Sequence, residues 1–404
     1  MIKWLTRLFT SHANAVPTTI ATGLASTTRS DTEFSAEIVI ITSVIPHPNA
    51  DRLEICRFEM KGLGETTYEV VTKKGEFQSG QLAGYFSVDC ILPLEHPAFA
   101  FLSSRLDGVG KTHYRLRAAR LRGVFSQGLL VPLEKLAAAS AAVDLSRWTF
   151  ELGTDISNWV GVTYYSPTVK GSSLAGDNRN DSRLNRNQPQ PAPIYTVDSL
   201  KKLPRLFEPG EMVHITEKIH GTNFRFGWVR RKILGVLPWG WKFVVGSHRV
   251  MKGDNKTGHY YGTDLWQQAA DHMKLEERTR DYKGFVFYGE LFGYTYSGEP
   301  IQDLTYGRLI ATGPALAVFD IRDVESKSWL SPGRRGFILA DIDLPGVPVI
   351  DTAVEWDLAL LELAEGKSML DKKTVREGIV VEAMTAPRRK AKFVSNGYLL
   401  RKDA

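Results

Sequence analysis

The sequence predicts an α+β protein of two domains, a small N-terminal β-barrel followed by a larger mixed α+β unit. Three observations carry that expectation. Short alternating apolar and polar runs, punctuated by turn signals, fill the chain up to about residue 131. A polar break rich in Gly, Asn and Pro comes next, within residues 166–193. Beyond it, strand-like runs are interleaved with two helical stretches. At 404 residues and 43% hydrophobic content, the chain is long enough to bury two cores.

Residues 34–165 form the first domain in this reading. Glu37–Ile41, Leu53–Phe58 and Thr67–Thr72 read as strands, separated by turns at Pro46–Asn49, Gly62–Gly64 and Lys73–Gly75. Leu82–Leu92, Tyr114–Arg122 and Leu129–Val131 extend the series. So many short strands suit an OB-like barrel, although periodicity alone does not separate that from another small barrel or a sandwich. Residues 166–193 are expected to be a flexible linker, and residues 194–404 the second domain, with helices over Asp264–Arg278 and Val354–Gly366.

Residues 1–33 are set apart from fold reasoning. The first 30 contain no acid and ten Ser or Thr, and in a helix Ile2, Trp4, Leu5, Leu8 and Phe9 would lie opposite Lys3 and Arg7. That composition fits a mitochondrial transit peptide and equally a disordered tail. The expected location is intracellular, mitochondrial if the segment is a targeting signal and otherwise cytoplasmic. No apolar run approaches the ~20 residues needed to span a bilayer, so no membrane association is expected. Nothing implies an obligate protein partner. Cys56 and Cys90 are too few for a disulfide framework or a zinc site and read as small core residues.

The net charge of +6 is weak evidence for a nucleic-acid partner, because beyond residue 30 only 48 basic against 45 acidic residues remain. Its distribution says more. An acid-free block between Asp107 and Glu134 carries Arg115, Arg117, Arg120 and Arg122, and another between Glu382 and Asp403 carries Lys390 and Lys392.

The chemistry concentrates in the second domain. Met212–Glu217 reads as a strand running into Lys218-Ile219-His220-Gly221, with a second strand starting at Asn223. A lysine at a strand end is held on rigid structure, and if its ammonium is partly buried or lies near other cations, its pKa falls and the free amine becomes a usable nucleophile. Gly221 lets backbone approach a ligand. Lys-x-x-Gly alone is common, and the weight lies in the order of the downstream segments. Ser247-His248-Arg249 offers a guanidinium to phosphate, and the apolar strand Phe285–Gly293 presents Glu290 for a ribose hydroxyl. Phe319 in Leu316–Ile321 is placed to stack on a purine. Glu377 beside Gly378 suits a magnesium ion, and Lys390 and Lys392 share one face of a strand. Taken singly, Phe319 reads as a core aromatic and the two lysines as a solvated rim. The ordered set shifts the balance.

That set, Lys-Ile-His-Gly-Thr-Asn-Phe, Tyr-Gly-Glu-Leu-Phe-Gly, Val-Phe-Asp-Ile, Arg-Glu-Gly-Ile-Val-Val-Glu and Lys-Ala-Lys, resembles the motifs of the RNA ligase 2-like enzymes of the covalent nucleotidyltransferase superfamily. The resemblance covers most of residues 194–404 and implies an ATP-grasp-like ligase domain. It implies that Lys218 becomes the adenylated nucleophile and that Glu217, His220, Gly221, Asn223, Arg249, Glu290, Phe319, Lys390 and Lys392 bind the nucleotide. It further implies that Glu377 and Glu290 engage Mg2+ or Mn2+, with ATP as the AMP donor.

His220 stands where DNA ligases and capping enzymes usually show Asp, which points to the RNA ligase branch. The 12 residues after Lys392 are too few for the C-terminal OB domain of those enzymes. A leading barrel resembles the Deinococcus-type RNA ligases and gives Arg115, Arg117, Arg120 and Arg122 a context as nucleic-acid contacts. The expected partner is RNA or an RNA-containing nicked duplex. A DNA ligase or another lysyl-nucleotidyltransferase is the alternative of the same class, and a non-catalytic RNA-binding protein that of another.

Overall fold

The eleven-residue strand Ala36–Pro46 organises the N-terminal domain, because it is long enough to serve two neighbours. Its first half pairs antiparallel with Leu82–Phe86 and its second half with Leu53–Met60, the two pairings overlapping at Ile40 just before a register shift between Ile41 and Ser43. Such a bulge bends and twists the strand, which is how a short sheet curls. Leu129–Pro132 extends the sheet beyond Leu82–Phe86, and Val70–Lys73 pairs with Leu53–Met60. A smaller sheet orders Thr163–Tyr164, Cys90–Pro93 and His113–Arg115, and Ala119–Leu121 forms a hairpin with Val124–Ser126. The expected continuous strand over 82–92 is broken, with Asp89 in a left-handed conformation between its two halves.

The structure, a computed structural model, describes residues 36–65, 68–105, 112–138, 150–165, 192–233, 237–248, 251–252, 264–386 and 388–402. The leader, most of the expected linker and Arg249 lie outside them.

Two five-stranded sheets build the second domain. The first runs in the order Asp198–Ser199, Lys390–Val394, Gly378–Ala383, Met212–Glu217, Val349–Glu355. The second runs Met251–Lys252, Leu237–Gly246, Thr222–Ile233, Phe285–Gly293, Pro314–Asp323. One face of the second sheet carries Phe224, Phe226, Phe287, Leu291, Val318 and Ile321, which form a core with Leu265, Trp266 and Ala269 of one helix and Ile338 and Leu339 of another. Those helices are Leu265–His272, capped by the Asp264 carboxylate, and Pro332–Asp341. Asp264–Arg278 is helical as expected, apart from a break at Lys274. Val354–Gly366 is not an α-helix: Val354 and Glu355 end a strand, and Leu358–Ala364 winds as a 3₁₀ segment capped by Asp357.

The two domains share a core. Phe58, Met60, Tyr68, Val70 and Tyr85 of the barrel pack in one apolar cluster with Phe207, Val213, Ile379, Ala391 and Phe393 of the second domain. Tyr68 stacks on Phe393 with ring planes 8° apart. Arg205 adds two hydrogen bonds of 2.8 and 2.9 Å to the buried Glu37 carboxylate. Even so, burial pushes the Glu37 carboxyl up to about 7, with the Arg205 charge pulling against it. Cys56 and Cys90 are buried thiols, as expected of core residues.

Candidate active site

Lys218 stands where the chain leaves one sheet for the other. Met212–Glu217 lies in the first sheet and Thr222–Ile233 in the second, so the four residues between them cross from one sheet to the other. The start of the crossing is anchored twice, Glu217 N–H donating to Pro348 O and Lys218 N–H to Gly378 O, each at 2.9 Å. A Cβ on Gly221 would lie 2.1 Å from Leu291 O, so the crossing is passable only for glycine.

A line of polar groups runs outward from the lysine. Lys218 Nζ donates to Glu377 Oε2 at 2.7 Å, Glu377 Oε1 lies 3.4 Å from His220 Nδ1, and His220 Nε2 lies 2.6 Å from Asp303 Oδ1. Tyr398 O–H sits 3.2 Å from His220 Nε2, and the His220 backbone N–H donates to the Tyr306 hydroxyl at 2.6 Å. Tyr306 does this from a left-handed backbone at φ 52°, unusual for a bulky residue. Asp303, Tyr306 and Tyr398 went unnoticed in the sequence, since no motif spacing marks them.

Electrostatics separates the two carboxylates. Burial pushes Glu290 up to about 8, reinforced by the negative Glu377 and opposed by Lys218 and the Gly221 N–H. Glu377 is buried too, but the His220 hydrogen bond and the Lys218 ammonium outweigh that penalty and hold it below the usual carboxylate range. Burial, with the neighbouring Lys218 charge, lowers Lys392, while Glu377 pulls the other way.

Cross-strand register puts several expected residues on one face of the second sheet. Asn223 lies opposite Glu290, and Glu290 opposite Ala317. Asn223 Oδ1 is buried with no partner among the described residues. Phe319 is partly buried, its ring 4.9 Å from that of Tyr195. Glu217 accepts from Met369 N–H at 2.7 Å, while its Oε1 is buried with no partner among the described residues. Unsatisfied buried acceptors beside a lysine suit a nucleotide base and ribose, which bring N–H and O–H donors.

The two lysines of Lys390-Ala391-Lys392 are not equivalent. The Lys390 side chain is 2% exposed, and its Nζ lies 2.7 Å from Asp320 Oδ2 and 3.2 Å from Glu382 Oε2. Arg335 reaches the same two carboxylates at 3.3 and 2.9 Å, and Tyr195 O–H donates to Asp320 at 2.8 Å. Lys390 is thus an internal counter-ion of a closed cluster, whereas Lys392 is partly buried within the field of Lys218 and Glu377. The barrel arginines also divide. Arg115 donates twice to Asp89, at 2.7 and 2.8 Å, and lies 3.5 Å over the Tyr165 ring, while Arg117, Arg120 and Arg122 are exposed.

Among the described residues, no three His, Cys, Asp or Glu side chains converge as a ready metal cage. Glu290 and Glu377 nevertheless bring carboxylate oxygens, the hard donors that a divalent cation takes, near Lys218. The donor set fits Mg2+ or Mn2+ shared with phosphate oxygens.

Residues 211–394 match the RNA ligase family model, and residues 35–133 match an OB-fold domain model. No curated protein matches the chain. Among solved structures, Naegleria gruberi RNA ligase with pyrophosphate is 25% identical at a TM-score of 0.59, covering 91% of this chain and 99% of its own. A lysine-to-alanine variant of that ligase with ATP and manganese is 24% identical at a TM-score of 0.62, covering 92% and 100%. A glutamate-to-alanine variant with AMP and manganese is 24% identical at 0.61, covering 91% and 99%.

Proposed function

We propose that this chain, an RNA ligase family protein by residues 211–394 with an OB fold over residues 35–133, is an ATP-dependent RNA ligase that joins a 3′-hydroxyl to a 5′-phosphate through a lysyl-AMP. The observation that carries this reading is Lys218 at the crossing between two sheets, with Glu377 at 2.7 Å and Lys392 in its field.

Those groups suit three successive phosphoryl transfers. Lys218 must attack as a free amine, and the Glu377 carboxylate in contact with Nζ fixes the direction from which it attacks. As the Nζ–P bond to the α-phosphorus of ATP forms, the bond to pyrophosphate breaks. A 5′-phosphate oxygen then displaces the lysine and takes the AMP, and a 3′-hydroxyl displaces AMP to close the phosphodiester. Lys392 stands close enough to Lys218 to stabilise charge developing on the phosphate. Asn223, Glu290 and Glu217 bring acceptors to the nucleotide, Phe319 a ring for the purine, and Arg249 a guanidinium for phosphate. A divalent cation held by Glu377 and Glu290 would supply further neutralisation of phosphate charge.

Support for the cofactors comes from the Naegleria ligase, solved with ATP, AMP, pyrophosphate and manganese. Nicks with RNA on the 3′-hydroxyl side are the proposed substrate, met in RNA repair or processing. The test is a panel of nicked duplexes carrying RNA or DNA on each side of the break. Sealing is expected wherever the 3′-hydroxyl side ends in RNA, and a preference for all-DNA nicks would overturn the substrate assignment.

A further inference from the structure

The segment Ala192–Thr196, where the chain enters the second domain, is pinned at three points, although its first two residues belong to the expected flexible linker. Arg225 Nη1 donates to Ala192 O at 2.6 Å, the Tyr288 hydroxyl to Pro193 O at 3.1 Å, and Arg388 Nη2 to Thr196 O at 2.7 Å. These anchors hold Tyr195, which is buried between the exposed Ile194 and Thr196. Its ring lies 4.9 Å from that of Phe319, 5.2 Å from Trp329 and 5.4 Å from Tyr288, and the Arg388 guanidinium covers it at 4.5 Å. The Tyr195 hydroxyl donates to Asp320 Oδ2 at 2.8 Å, the same oxygen that Lys390 reaches. Burial, with the Asp320 charge beside it, holds the phenol well above its ordinary range, so it stays a donor.

Tyr195 therefore touches two consecutive residues of one strand, Phe319 through its ring and Asp320 through its hydroxyl. Phe319 is the residue that needs such a support. In the pairing of Phe285–Gly293 with Pro314–Asp323, Tyr288 faces Asp320 and Gly289 faces Val318, so Phe319 falls in the register shift and has no partner across the ladder. A bulge of this kind re-aims a side chain and leaves its direction to other contacts.

We propose that Tyr195 is a positioning residue of the nucleotide site, setting the Phe319 ring in the orientation that receives the purine of ATP. The inference rests on the ligase reading, with Phe319 as its purine-facing ring, and adds a residue that lies outside every motif. The competing role is core filling alone, in which loss of Tyr195 lowers Tm and leaves nucleotide binding where it was.

The KM for ATP and the kcat of lysyl-AMP formation, measured without RNA, separate the two roles. Tyr195→Leu removes the ring that meets Phe319. It should raise KM roughly 5- to 10-fold with kcat changed less than about 2-fold, since ring contacts act on binding the nucleotide rather than on transferring it. Tyr195→Phe keeps the ring and should return KM to near the unsubstituted value, while Tm stays lowered by the lost hydrogen bond. Phe319→Leu should raise KM by itself, and adding Tyr195→Leu to it should raise KM no further. Where Tyr195→Leu fails to fold, Arg388→Met, at an exposed position, loosens the same segment from outside and should raise KM about 2- to 3-fold. An unchanged KM in folded Tyr195→Leu, or in Arg388→Met where that variant does not fold, would overturn the proposal. So would effects of Tyr195→Leu and Phe319→Leu that simply add. Either result alongside normal label uptake by the unsubstituted protein removes this inference alone, whereas absence of label on the unsubstituted protein removes the ligase reading beneath it.

Discussion

The Lys218 ammonium is held 2.7 Å from Glu377, and the opposite oxygen of that carboxylate faces His220. One carboxylate therefore orients the nucleophile and is itself oriented from behind. Glu377→Gln keeps the shape and loses the charge. Lysyl-AMP formation should fall by about 10²-fold or more, read as the initial rate of label uptake from ATP.

Lys390 and Lys392 should separate cleanly. Lys390→Met leaves Asp320 and Glu382 sharing Arg335 alone inside the protein, a loss of about 3–5 kcal/mol that should lower Tm on the order of 10 °C. Lys392→Met should leave Tm nearly unchanged and depress label uptake. Thermal melts and labelling of the same two variants check both halves.

Tyr306 offers a quieter test of the crossing. Tyr306→Phe removes the acceptor of the His220 N–H, and an unpaired buried donor costs about 1–3 kcal/mol. Tm should drop by a few degrees and label uptake should slow, since the residue two places from the nucleophile is no longer fixed.

Glu290 gives a pH signature. Its carboxyl is raised to about 8 by burial, above its ordinary value of 4.5, so the neutral form stabilises the fold. That contribution is present below pH 4.5 and is lost as pH rises through about 8. The Tm of Glu290→Gln, which cannot ionise, should therefore gain on the unsubstituted protein between about pH 5 and 8.5. Glu37 titrates alike in both proteins and cancels. Parallel melting curves across that range would contradict the assignment.

Legibility in the sequence depended on locality. The strand, turn and strand around Lys218 was readable because Met212–Glu217 and Asn223–Phe226 flank a short glycine-bearing break, and the same holds for Phe285–Gly293 and Leu316–Ile321. Glu377 was found through its glycine neighbour. Asp303 and Tyr306 were not readable, because they lie in an irregular stretch brought to His220 only by tertiary packing, and Tyr398 sits on a short helix, Asn396–Lys402, with no periodic signal. The split between Lys390 and Lys392 was hidden for another reason. Both share a strand face, and only partners distant in sequence, Asp320 and Arg335, make one of them internal. The shared core of the two domains was equally silent, since an apolar residue such as Phe393 does not declare which surface it meets.

Incubation with [α-³²P]ATP and magnesium, in the absence of RNA, tests the central claim most directly. The protein should acquire covalent label that is released by pyrophosphate, and Lys218→Ala should acquire none. Label persisting in Lys218→Ala would contradict the account.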